Sequence, residues 1–128
     1  MKIAMVSIFV SDPMKAHAYY TDVLGFKSRL FMPEHYLAII CSNEEPDGVG
    51  VLLEPNHNPI ASTYQDALWK ANLPCMVFGT DNIQADYENL QSKGVVFRKP
   101  PTKTQWGTET VFEDGFGNLI QLHEMPKA

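Results

Sequence analysis

Few side chains in this 128-residue chain could do chemistry. Its four histidines, His17, His35, His57 and His123, are the natural acid–base candidates, because imidazole titrates nearest neutral pH. His17 falls in a helical stretch, and His35 and His57 fall in turns, where surface roles are expected. His123 differs. It follows Gln121 by two residues in DGFGNLIQLHE (Asp114 to Glu124), so on a strand both project from one face. His123 is therefore an acid–base candidate, although a histidine held by a structural hydrogen bond is the plainer expectation. Gln121 is an amide between Ile120 and Leu122. It can bond a ligand or a neighbour, but it cannot act as a base. Glu54, near the end of VLLEP, is the carboxylate candidate, or else a solvated strand end. Cys41 and Cys75 form neither a C-x-x-C motif nor a disulfide framework, and Cys75 has no activating partner in the sequence. No Ser/His/Asp pattern stands out. The glycines of DGFGN precede a strand rather than a helix, so they make no phosphate-binding loop.

The elements that must position these groups follow from pattern. Lys2 to Val10 is rich in Ile, Val and Phe, as in a strand. Asp12 can cap a helix and Pro13 suits its first turn. Ala16, Tyr20 and Val23 recur at helical spacing, and Gly25 stops the helix. Strand segments follow at Phe26 to Met32, His35 to Cys41 and Gly48 to Glu54. Asn58-Pro59 opens a second helix with the stripe Ile60, Tyr64, Ala67, Leu68 and Ala71. The order then restarts. Cys75 to Thr80 is a strand, Asp81 caps a helix carrying Ile83, Tyr87 and Leu90, and Gly94 stops it. Val95 to Lys99, Gly107 to Glu113 and Asn118 to Glu124 complete the set.

The chain thus reads β-α-β-β-β twice. VSIFVSD overlays MVFGTDN at a shift of 70 residues, Gly25 meets Gly94 at 69, and GVLLEP meets GNLIQL at 67. Ordered matches at near-constant spacing indicate a duplicated module. The expected organisation is one domain over 1–128, with module one about 1–56, a linking helix about 59–72 and module two about 73–126.

Composition sets bounds. The net charge of −5 and the lack of a basic stripe exclude a nucleic-acid binder. No apolar run is long enough to span a bilayer, so no membrane partner is expected. The N-terminal MKIAMVSIFVSDP runs into a helix start without a small-residue cleavage site, which favours a buried strand over a signal peptide. Two unpaired cysteines suit a cytoplasmic protein with reduced thiols.

The words FVSDPMKAHAYYTDVLGF, VLLEP, TDNIQADYENLQSKGVVF and GTETVFEDGFGNLIQLHE resemble the vicinal oxygen chelate superfamily. That superfamily holds glyoxalase I, extradiol dioxygenases, fosfomycin-resistance thiol transferases and bleomycin-resistance proteins. The L-E-P ending of module one is similar to a glyoxalase-like subset. Asp114-Gly115 departs from the Asp-Pro usual before Phe116-Gly117-Asn118. The resemblance implies an α+β fold: two tandem βαβββ modules form a curved, partly closed mixed sheet around a cleft, with helices outside. It also implies four metal positions, at Met5, Glu54, Cys75 and Gln121.

These four residues suit a hard cation poorly. Met5 offers a thioether, Gln121 a neutral carbonyl, Cys75 a thiol without partners, and Glu54 the sole assured anion. Met5 and Cys75 read first as apolar packing. Glyoxalase chemistry needs a carboxylate base beside the metal, which Gln121 cannot supply. Strand alternation points Met5, Ser7, Phe9, Leu52, Glu54, Cys75, Val77, Leu119, Gln121 and His123 into the cleft. Strand three adds Tyr36, Ala38 and Ile40, and Phe31 and Trp106 flank the mouth. The expectation is a homodimeric protein that binds a small apolar or aromatic molecule through Met5, Ser7, Phe9, Tyr36, Leu52, Cys75, Val77, Trp106 and Gln121, with no cofactor. The alternative is a glyoxalase-like lyase or isomerase with an atypical metal or metal-free site, using Glu54 and His123. A third possibility is a dimerising scaffold.

Overall fold

The computed structural model describes residues 1–127. They form two compact units, Met1–Thr63 and a second beginning at Tyr64. The boundary falls inside the linking helix.

In the first unit, strand β1 (Met5–Val10) leads into helix α1 (Pro13–Asp22). The carboxylate of Asp12 accepts from the backbone N–H of Met14 and Lys15, at 3.0 and 3.2 Å, and Pro13 opens the first turn. Gly25 takes φ +83°, as a helix stop requires. Strands β2 (Lys27–Met32), β3 (Leu37–Cys41) and β4 (Gly50–Pro55) follow. The sheet order is β1-β4-β3-β2, with β1 and β4 parallel and the other pairs antiparallel. Ile8, Val10, Ala38, Ile40 and Leu53 are buried, as are Pro13, Ala16 and Tyr20 of α1, which packs on β2, β3 and β4.

Helix α2 (Pro59–Lys70) joins the units. Asn58 Oδ1 caps its start, accepting from Ala61 N at 2.9 Å. In the second unit come β5 (Met76–Gly79), α3 (Ile83–Ser92), β6 (Val96–Phe97), β7 (Thr102–Thr104), β8 (Gly107–Glu113) and β9 (Leu119–Glu124). The order is β5-β9-β8-β6, with β7 pairing β8 and with β5 and β9 parallel. Ile83, Leu90, Val95, Phe112, Ile120 and Leu122 are buried, and the Phe97 ring lies between those of Tyr87 of α3 and Phe112 of β8, tilted to both. The fold class is therefore α+β, three helices with two mixed sheets, as expected from the sequence.

Four local expectations differ. The α3 cap is Asn82, whose Oδ1 accepts from Ala85 N at 3.1 Å, rather than Asp81. The strand β7 arises because Thr102–Thr104 folds back on β8 through the turn at Gln105 and Trp106. Tyr36 precedes β3 rather than starting it. It takes a left-handed φ of 53° after the short 3-10 turn Pro33–His35. Finally, α2 buries Ala61 and Gln65 instead of the stripe led by Ile60 and Tyr64, which are 83% and 53% exposed.

The orientation of α2 has a polar cause. Asp114 is fully buried, and its Oδ1 accepts from the backbone N–H of Phe116 at 2.7 Å and of Asn118 at 3.0 Å. Its Oδ2 accepts from the Asn118 side-chain amide at 2.8 Å. Gln65 then donates to Asn118 Oδ1 at 3.0 Å and to the Phe116 carbonyl at 3.1 Å. A Cβ on Gly117, at φ +100°, would stand 2.7 Å from that Gln65 amide. The D-G-F-G-N turn is thus a socket for Gln65, and filling it turns Ile60 and Tyr64 outward.

Candidate functional site

Each sheet has one face against helices and one turned away from them, and the candidate residues sort by face. In the first unit Met5, Ser7 and Phe9 pair with Gly50, Leu52 and Glu54, and Leu52 pairs with Ile39. Directly paired residues share a face, so these side chains lie on the helix-free face. Met5 is 46% exposed, Ser7 is exposed, and Phe9, Leu52 and Glu54 are half-buried. Glu54 therefore faces as expected.

Three other expectations fail. Ala38 and Ile40 point to the helix side, and Leu37 and Ile39 take the other face, because β3 begins at Leu37. Phe31 pairs with Ala38 and stacks on His17 of α1, ring centres 4.4 Å apart. It thus packs under the helix rather than beside the helix-free face. Tyr36 lies off the strand with its ring centre 6.1 Å from that of His57, whose Nε2 donates to the Ser11 carbonyl at 3.1 Å. His17 bonds Ser28 Oγ at 2.7 Å, and its burial lowers its pKa, with Asp22 opposing.

In the second unit Val77 pairs with Gln121, which pairs in turn with Val111, and His123 pairs with Glu109. Leu119, Gln121 and His123 share the helix-free face with Glu109, Val111 and Glu113. Val77 is 57% exposed and Gln121 half-buried. His123 Nε2 donates to the Trp106 carbonyl at 3.0 Å, leaving Nδ1 for another partner. The Trp106 ring is 71% exposed. Both nearby carboxylates are ion-paired, Glu109 with Lys99 and Glu113 with Arg98, each at 2.8 Å. Glu109 was not singled out in the sequence. The alternation of TETVFE, set against IQLHE, is the signal that places it opposite His123.

The registers revise the equivalence of the two modules. Met5 meets Gly50, 45 residues on, whereas Met76 meets Ile120, 44 residues on. With the first strands aligned at a shift of 70, the partner of Gln121 is Leu52, and Glu54 corresponds to His123. Glu54 thus stands four positions from the level of Met5, about 13 Å along the strands. The metal positions implied by resemblance in module one therefore bring a thioether together with an aliphatic side chain.

Cys75 is half-buried, and desolvation, with the Asp114 carboxylate second, pushes its thiol up to about 11. It stays protonated at neutral pH, poor both as metal ligand and as nucleophile. Gln121 supplies an amide. Among the described residues, no three of His, Cys, Asp and Glu come together in a group able to hold a metal ion. The donors present do not fit a hard divalent cation.

A model of the glyoxalase/bleomycin resistance protein/dioxygenase superfamily matches residues 2–122. The chain belongs to this superfamily. YurT of Bacillus subtilis (strain 168) is 42% identical to it over 124 residues, covering 95% of this chain and 98% of YurT. The crystal structure of UcmS2 is 31% identical with a TM-score of 0.79, covering 96% of this chain and 97% of UcmS2. TnmS3, an antibiotic binding protein from Streptomyces sp. CB03234, is 25% identical with a TM-score of 0.79, covering 98% of this chain and 97% of TnmS3. Among the described residues, no helix of this superfamily member is long and apolar enough to cross a membrane.

Proposed function

We propose that this protein binds a small, mainly apolar or aromatic molecule against the helix-free faces of its sheets and releases it unchanged, without a metal. The observation that carries this is the donor chemistry at the superfamily's metal positions: thioether at Met5, protonated thiol at Cys75, amide at Gln121, and Glu54 displaced from Met5 along β4. Apolar groups with a few polar atoms make a surface that holds a ligand by burial and orients it by hydrogen bonds. In the first unit Met5, Ser7, Phe9 and Leu52 supply that mixture; in the second, Val77 and Gln121 do. The likeness to TnmS3, an antibiotic binding protein, supports small-molecule binding.

The expected oligomer is a homodimer, to which the edge strands β1 and β5 would contribute. Light scattering on the purified protein measures it.

Glu54 favours a second function. It has no hydrogen-bond or ion-pair partner among the described residues, so its carboxylate is available as a base in a glyoxalase-like reaction. A thermal-shift screen with aromatic and polycyclic molecules separates the two. A ligand at a hundredfold excess over its Kd adds about 2.7 kcal/mol of stability. Binding functions predict such a shift with the ligand recovered intact. Product formation that Glu54→Gln abolishes would establish the enzyme instead.

A further inference from the structure

We propose that Arg29 is the polar anchor of the ligand site on the first sheet, and that the ligand is a planar aromatic carrying an acidic oxygen group, a carboxylate or a phenolate. This rests on the binding function above. Three features of the first unit lead there.

The first is how Arg29 is aimed. Ser28 pairs with Ile40 and Leu30 with Ile39, so Arg29 is an extra residue in a β-bulge of β2. Bulges turn one side chain out of the alternation, and they recur beside functional sites. The second is where the guanidinium lies. A Cβ on Gly50 would stand 2.6 Å from Arg29 Nη1 and 3.2 Å from Ile39 Cγ2. Ile39 belongs to the helix-free face, so the guanidinium lies there too, over Gly50 and level with Met5. Glycine leaves the room that any other residue would fill.

The third is what the guanidinium has left to give. Nη2 donates to the Pro46 and Gly48 carbonyls, both at 2.7 Å, which hold the group in place. The hydrogens on Nη1 and Nε have no protein acceptor among the described residues, and no carboxylate pairs with Arg29. Glu44, Glu45 and Asp47 lie on the same exposed turn, where water screens their field.

The other module supplies the contrast. Arg98 lies 69 residues after Arg29, the shift that also relates Gly25 to Gly94. It is tied to its neighbours: Nε meets Glu113 at 2.8 Å, Nη1 meets Asn72 at 3.2 Å, and the guanidinium lies 4.8 Å from the centre of the Trp69 ring. One arginine carries an ion pair and a ring contact, while its counterpart has neither and lies on a face with exposed Met5 and half-buried Phe9 and Leu52. A guanidinium recognises oxygen anions and stacks on flat rings. An aromatic acid satisfies both properties.

The test compares naphthalene-2-carboxylate with its neutral isostere naphthalene-2-carboxamide, by calorimetric titration of the intact protein. The wild type should bind the acid at least fivefold more tightly than the amide. Arg29→Gln should weaken the acid about tenfold and leave the amide within twofold, and Arg29→Lys should keep part of the acid preference. Equal binding of acid and amide by the wild type would overturn this anchor while leaving the binding function standing. An equal loss of both probes in Arg29→Gln would assign Arg29 to holding the Pro46–Gly48 turn, and would also overturn it. Binding of neither probe would overturn the anchor and count against the binding function itself.

Discussion

Asp114→Ala isolates the socket that seats α2. The carboxylate accepts at least three hydrogen bonds, from Phe116 N, Asn118 N and Asn118 Nδ2, and its residue is fully buried. Alanine leaves all three donors without that acceptor. Two of them belong to buried Asn118, and each orphaned buried donor costs about 1–3 kcal/mol. The Phe116 donor is part-buried and recovers some of its loss through water. The expected destabilisation is about 3–5 kcal/mol, a large share of the roughly 5–15 kcal/mol that holds a typical domain together. Asp114→Asn keeps the shape and one oxygen for the two backbone N–H groups, but sets an NH2 against the Asn118 amide. It should lose about half as much and remain measurable. Urea unfolding monitored by tryptophan fluorescence gives the difference from the shift in midpoint at constant slope. A loss below about 1 kcal/mol for Asp114→Ala would refute the claim that this carboxylate organises the turn.

Gly117→Ala should cost about 1–3 kcal/mol, since a Cβ there meets Gln65 and the backbone sits at φ +100°; the same unfolding experiment reads it. Cys75 should react slowly with iodoacetamide near pH 8 and faster as pH climbs towards about 11, and mass spectrometry locates the adduct. The same raised thiol gives stability a sign. The unfolded chain releases the proton first, so unfolding free energy should fall as pH rises through the window from about 9 to about 11. His17 works in the other direction. Its lowered pKa means that the unfolded state takes the proton first on acidification, so stability should fall as pH drops below the ordinary histidine value of 6.5. His17→Asn should flatten that limb.

Much of the fold was legible in the sequence because local chemistry decides it. Asp12-Pro13, Asn58-Pro59, Gly25 and Gly94 mark helix ends through hydrogen bonds and backbone conformations that need no tertiary context. Alternation likewise put Met5, Ser7, Phe9, Leu52 and Glu54 on one face. What failed depended on partners far along the chain. The apolar look of Ile60 and Tyr64 gave the wrong face of α2, because the decisive contact joins Gln65 to Asn118, across 53 residues. The facing of Ala38 and Ile40 failed by one position, since Tyr36 is a left-handed residue and not the first of a strand. The pairing of Met5 with Gly50 moved Glu54 away from the place of Gln121, and sequence shifts alone cannot show a two-residue change in register. Arg29 was passed over because a bulge leaves little trace in composition.

Native mass spectrometry of the freshly purified protein, alone and then with naphthalene-2-carboxylate, tests most directly whether this chain holds molecules rather than transforming them. The expected spectra show no added metal mass in the first case and one intact ligand per chain in the second, unchanged by chelator. A stoichiometric divalent ion whose removal abolishes ligand binding, or a bound species with the mass of a product, would contradict it.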